Sequence, residues 1–95
     1  MRGETLWNPE PGEEVTGIIR SVDLGASEFH TDPVPVLTLD TGEGPLVVIW
    51  VFFTSLLIEI QTLEAQPGDR VTIRRAENST RHRYRRYRAD MAVEA

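Results

Sequence analysis

The sequence predicts an all-β fold with a single helix, closed as a five-stranded Greek-key barrel in the order strand, strand, strand, helix, strand, strand. Three observations carry that expectation. Segments rich in β-branched residues recur along the 95-residue chain between turns bearing glycine and proline. One stretch, residues 53–63, changes to helical spacing. A chain this short cannot cover an open five-stranded sheet, whereas closing the strands around one core removes the exposed edges. With 40% hydrophobic and 26% charged residues the composition is that of a globular protein and too apolar for a disordered one.

Residues 1–12, with Pro9, Pro11 and Gly12, read as a leading arm anchored by Trp7, followed by one domain over 13–91 and a tail, 92–95. The first strand is 14–23, where Val15, Ile18, Ile19 and Val22 are β-branched; Gly17 interrupts it and predicts a bulge or sharp bend. Residues 24–33 are a turn-rich loop. The second strand is 34–40, with Pro35 at its start, and Thr41-Gly42-Glu43-Gly44 is a tight hairpin signal. The third strand, 46–52, lacks clean alternation, so both faces are expected to be covered. Thr54 or Ser55 is placed to cap a helix whose apolar stripe is Phe53, Leu56, Leu57, Ile60 and Leu63. Gln66-Pro67-Gly68-Asp69 ends it. The fourth strand, 69–75, turns Val71 and Ile73 inward and Arg70, Thr72 and Arg74 outward; after a polar loop, 76–83, the fifth strand runs over 84–91.

Net charge is −5, but it is segregated: residues 1–69 carry −10, residues 70–88 carry +7 and residues 89–95 carry −2. A partner feels the local field within roughly 10 Å at physiological salt rather than the average. All ten basic residues are arginine, and eight of them lie in the fourth and fifth strands and their loop, with Tyr84 and Tyr87 interleaved. Alternation puts Tyr84, Arg86 and Arg88 on one face of the last strand and Arg85, Tyr87, Ala89 and Met91 on the other, the interior side. Arginines follow a phosphate backbone and stack on bases, and an exposed tyrosine offers a stacking surface. Arg74, Arg75, Arg81, Arg83, Tyr84, Arg86 and Arg88 are therefore the expected nucleic-acid-binding residues. The alternative is that this hairpin pairs with acidic groups, in the same molecule, in a second copy or on another protein.

The order of elements, with Gly17 in the first strand and the helix between the third and fourth, resembles the OB-fold over about residues 12–91. Trp7-Asn8-Pro9 followed by Gly12, the run Gln66-Pro67-Gly68-Asp69-Arg70-Val71, and then Tyr84 and Tyr87-Arg88 look like small OB-type proteins of high-GC bacteria and their phages. The all-arginine basic set fits a GC-rich genome. The resemblance implies a DNA-related or phage-related setting and carries over no catalytic residue. OB-fold ligands commonly lie between the loop joining strands one and two and the loop joining strands four and five. Phe29, His30 and Trp50 are accordingly secondary groove candidates. For Phe29 a lid over the core is the competing role. Trp50, which alternation groups with Leu46, Val48 and Phe52, is expected in the core.

Other chemistry is excluded or weak. The absence of cysteine rules out disulfides, thiol catalysis and thiolate zinc sites. Ser27, His30 and Asp32 lie within six positions of one loop, where a rigid scaffold cannot bring a hydrolytic triad together. His30 and Asp32 alone do not make a metal site. No enzyme activity, cofactor or metal is expected. The uncharged run 46–58 falls short of the roughly 20 residues a bilayer requires, and Arg2, Glu4, Pro9 and Pro11 stand where a signal peptide needs an apolar run. The expectation is a cytoplasmic, non-enzymatic OB-fold protein that binds single-stranded nucleic acid, DNA in the first place. The alternative is an OB-type interaction module, an accessory subunit or phage regulatory factor, whose basic hairpin meets an acidic protein surface or another copy of itself.

Overall fold

The computed structural model describes residues 3–26, 31–77 and 86–92. Within these described residues six strands and one helix follow in the order β1 (Glu4–Leu6), β2 (Glu14–Gly25), β3 (Val34–Asp40), β4 (Leu46–Trp50), α1 (Thr54–Leu63), β5 (Arg70–Arg75) and β6 (Tyr87–Met91). They form one mixed sheet in the spatial order β1-β4-β3-β2-β5-β6. The fold is thus mostly β with one helix, as expected, but the sheet is six-stranded and keeps two edges.

The additional strand lies in the segment read as an arm. Residues 4–6 pair in parallel with β4, Glu4 opposite Leu46 and Leu6 opposite Val48. Leu46 N–H bonds to the Gly3 carbonyl and Trp7 N–H to the Val48 carbonyl, both at 2.8 Å, which extends the ladder at each end. All three residues of β1 are exposed.

β2 is the backbone of the sheet. Its first half pairs with β5, from Glu14 opposite Arg74 to Ile18 opposite Arg70, and its second half with β3, from Ile18 opposite Asp40 to Gly25 opposite Val34. The register shift falls between Ile19 and Ser21, leaving Arg20 as the extra residue, so the bulge is not at Gly17. Gly17 answers a different need. A Cβ there would stand 2.8 Å from the Asp40 carbonyl oxygen, and only glycine lets the end of β3 approach β2 that closely. The 41–44 turn is the expected hairpin, with Gly42 at φ +90 and Gly44 at φ +66 and the Asp40 carboxylate accepting from Gly42 N–H at 2.8 Å.

Neither Thr54 nor Ser55 caps α1; the cap position is Phe53, without a side-chain hydrogen bond. Ser55 instead turns to the sheet, its Oγ accepting from the Tyr87 N–H at 3.2 Å. In the β5–β6 ladder the pairs that exchange hydrogen bonds are even-numbered on β6, as Ala76 N–H to Arg86 carbonyl and Ala92 N–H to Arg70 carbonyl show. The backbone groups of Tyr87 therefore point off the sheet edge, and α1 packs there. The helix ends at Leu63 with Glu64 in the left-handed conformation. A turn closed by Asp69 N–H to Gln66 carbonyl then returns the chain to the sheet.

The core joins Ile19, Leu37, Leu39, Ile49, Val51, Leu56, Val71, Ile73, Tyr87 and Ala89. Val71 and Ile73 point inward as their alternation requires, and Tyr87 joins them, whereas Met91, expected on the same side, is exposed on the edge strand β6 although it stands opposite buried Val71. The two ends of the sheet meet through aromatic side chains rather than a ladder. Tyr87 has the Trp7 ring 6.0 Å away and the Phe53 ring 5.4 Å away, centroid to centroid. A cavity of about 220 Å³ lies along this seam, lined by Trp7, Ile49, Phe53, Leu56 and Tyr87 among others.

Candidate functional site

The pleat of β5 and β6 sorts the arginines. Arg74 lies directly opposite Arg88, and Arg86 follows two residues away on the same face, opposite Ala76. All three side chains are exposed. Opposite residues in an antiparallel ladder have Cα atoms about 4.5–5.5 Å apart, so two guanidinium groups share one small area of surface. Like charges so placed are destabilising by themselves. Glu14 stands on the other side of Arg74 in the same row, and the next row is Thr16, Thr72 and Asp90. Thr16 and Thr72 share a hydrogen bond, 2.7 Å between hydroxyl oxygens. Arg70 extends the basic face one row further.

Arg75 goes elsewhere. It is paired with Tyr87 on the inner parity and half-buried, and its Nη1 donates to the Pro9 carbonyl at 2.8 Å. Its Nε is buried without a hydrogen-bond partner. Arg75 N–H also bonds to the Glu13 carbonyl and its own carbonyl accepts from Gly12 N–H, so the residue ties the segment between β1 and β2 to the end of β5. Of the expected binding residues, Arg74, Arg86 and Arg88 are brought together and Arg75 is not among them. Arg81, Arg83 and Tyr84 lie outside the described residues, as do Phe29, His30 and Ser27.

Trp50 corrects another expectation. The core face of β4 is carried by Val47 and Ile49 and continued by Val51 just after it, so Trp50 is on the opposite face with Val48. Its ring stacks on Phe52 at 5.5 Å and 16°, and a Cβ added to Gly25 would fall 2.6 Å from the indole. The tryptophan therefore lies over a glycine at the far end of β2. Phe52, grouped with Trp50 by alternation, was expected in the core with it, and Gly25 was missed; its signal was a glycine at the mouth of the first loop. The row through Trp50 reaches β2 at Asp23 by way of Val36, whereas the arginine row reaches it at Glu14. Nine residues of strand, about 30 Å of contour at 3.3 Å per residue, separate them. The aromatic platform and the arginine row are two places, not one.

A second cavity, about 400 Å³, opens between α1 and β6, lined by Ser55, Ile58, Glu59, Ala76, Arg86, Tyr87 and Arg88. Glu59 falls outside the apolar stripe read for the helix, and nothing in the sequence connects it with the arginines.

Among the described residues no group of three or more His, Asp or Glu side chains could hold a metal ion, and no helix is long and apolar enough to cross a membrane. Comparison of the chain with known protein families, with curated proteins and with solved structures returns no match.

Proposed function

We propose that the protein is a partly open OB-type barrel that binds single-stranded nucleic acid, DNA in the first place, through the arginines at the base of the loop between β5 and β6. The observation that carries this reading is the juxtaposition of Arg74 and Arg88 as direct cross-strand partners, with Arg86 beside them on one exposed face. A phosphate between two guanidinium groups turns their mutual repulsion into shared attraction, with charge-assisted hydrogen bonds from each. Arg81, Arg83 and Tyr84, in the same loop by sequence, add phosphate contacts and a stacking surface. The element order β2, β3, β4, α1, β5, β6 and the spatial order of those strands support the OB-type assignment, with β1 and the aromatic seam standing where a fifth ladder would close the barrel. Contacts of this kind follow the backbone and carry little sequence preference.

Fluorescence-polarisation titration against single-stranded DNA, duplex DNA and RNA at several salt concentrations tests the reading. At roughly −0.7 per phosphate for single strands, log affinity against log salt has a slope near −2 for Arg74, Arg86 and Arg88 alone and about −3.5 with Arg81 and Arg83 included. Affinity independent of salt, or absent for every oligonucleotide at low salt, removes the proposal.

A separate observation favours a second reading. Leu6 (63% exposed), Phe52 and half-buried Trp50 leave an apolar strip on the outside of β1 and β4, the kind of surface that marks protein contacts. In that reading the molecule is an OB-type interaction module, an accessory subunit or phage regulatory factor, and the basic hairpin meets an acidic partner or a second copy. Light scattering without nucleic acid separates the two: self-association through charge weakens as salt rises.

A further inference from the structure

The cavity between α1 and β6 joins groups of opposite character. Arg86 and Arg88 line one wall and Glu59 the other, and among the described residues no ion pair joins them. Ser55 and Glu59 are one helical turn apart and so share a face of α1. The hydrogen bond from Tyr87 N–H to Ser55 Oγ fixes that face against the strand. Ile58, 55% exposed, adds an apolar margin. At about 400 Å³ the space is within the range of small-ligand sites, roughly 300–1,000 Å³, and large enough for one nucleobase.

We infer that this cavity is a base-reading subsite that selects guanine in a bound single strand, an inference that rests on the nucleic-acid reading above. A carboxylate beside a phosphate-binding row is a liability unless it is used, because it repels the same backbone the arginines attract. An unpaired guanine turns that liability into a contact. Its Watson–Crick edge presents N1–H and the N2 amino group side by side, two parallel donors for the two oxygens of one carboxylate. Adenine and cytosine each present one donor next to a ring nitrogen that the carboxylate repels, and thymine and uracil one donor between two carbonyls. Arg86 and Arg88 hold the flanking phosphates while Glu59 reads the base that enters between helix and strand.

The test is fluorescence anisotropy at low salt with oligothymidylate and with the same strand carrying isolated guanines, adenines or cytosines. The expected result is about tenfold tighter binding of the guanine strand, in line with the discrimination of a bidentate contact. Glu59→Gln, which keeps side-chain size and helix propensity, removes that advantage without weakening the other strands. Equal affinity for all four strands, with Glu59→Gln raising all of them alike, overturns the inference and leaves the backbone-directed reading standing. A guanine advantage that survives Glu59→Gln also overturns it, since the base is then read elsewhere. Failure of every strand to bind removes both readings.

Discussion

Arg74 and Arg75 are chemically identical neighbours, yet the pleat of β5 sends one to solvent opposite Arg88 and the other inward to the Pro9 carbonyl. Their removal should have opposite signatures. Arg75→Ala deletes a charge-assisted hydrogen bond at a half-buried site, while the backbone bonds to Gly12 and Glu13 remain. Stability should fall by about 1.5–3 kcal/mol in urea denaturation, with the salt slope of oligonucleotide binding unchanged. Arg74→Ala or Arg88→Ala removes an exposed like-charged neighbour, so stability should move by less than about 0.5 kcal/mol. The slope in log salt should shrink by about 0.7 for each. If Arg75→Ala flattened the salt dependence as much as Arg74→Ala does, the guanidinium would belong to the interface and its hydrogen bond to Pro9 would be incidental.

Among the elements, what could be read from the chain was set by local periodicity, and what could not was set by partners distant in sequence. β5 declares its faces because Val71 and Ile73 alternate with arginine and threonine, and Tyr87 follows the same rule across the ladder. β4 does not: Leu-Val-Val-Ile-Trp is apolar on both faces, so alternation groups Trp50 with Val48 but cannot say which group meets the core. β1 has three exposed residues and no pattern, and becomes a strand only because the free edge of β4 is beside it. The arginine row was legible in part, since position in the strand was clear but the engagement of Arg75 with the leading segment was not. Trp7 and Trp50 turn this difference into a measurement. Trp7 packs against the core and Tyr87, whereas Trp50 rests on Phe52 and Gly25 outside it. Replacing Trp7 by alanine should therefore cost about 2–4 kcal/mol, at or below the usual range for a core aromatic because the ring is half-buried, and loosen the seam between the sheet ends. Trp50→Ala should cost clearly less. The reverse order in chemical denaturation would return Trp50 to the core and displace the arm from its place in the seam.

At the scale of the whole molecule, a net charge of −5 and a segment of +7 coexist because the acids are spread over the first 69 residues while the arginines converge on one hairpin. Within a Debye length of that hairpin the average charge is irrelevant, so a polyanion binds to the local field and its attraction is lost as salt shortens the range. Binding to the folded state alone must also raise its stability. Free oligonucleotide at 100 times its dissociation constant contributes about 2.7 kcal/mol, which for a domain of this size lifts the melting temperature by roughly 10–20 °C. The expected result is a melting temperature that climbs with single-stranded oligonucleotide at low salt and no longer responds to it at high salt. Simple salt also raises the stability of the free protein, because screening relieves the repulsion between Arg74 and Arg88, but it does not join them as a phosphate does. A melting temperature that rises with salt but is indifferent to oligonucleotide would therefore mean that the arginines repel one another without nucleic acid to join them, and that the hairpin waits for an acidic protein surface instead.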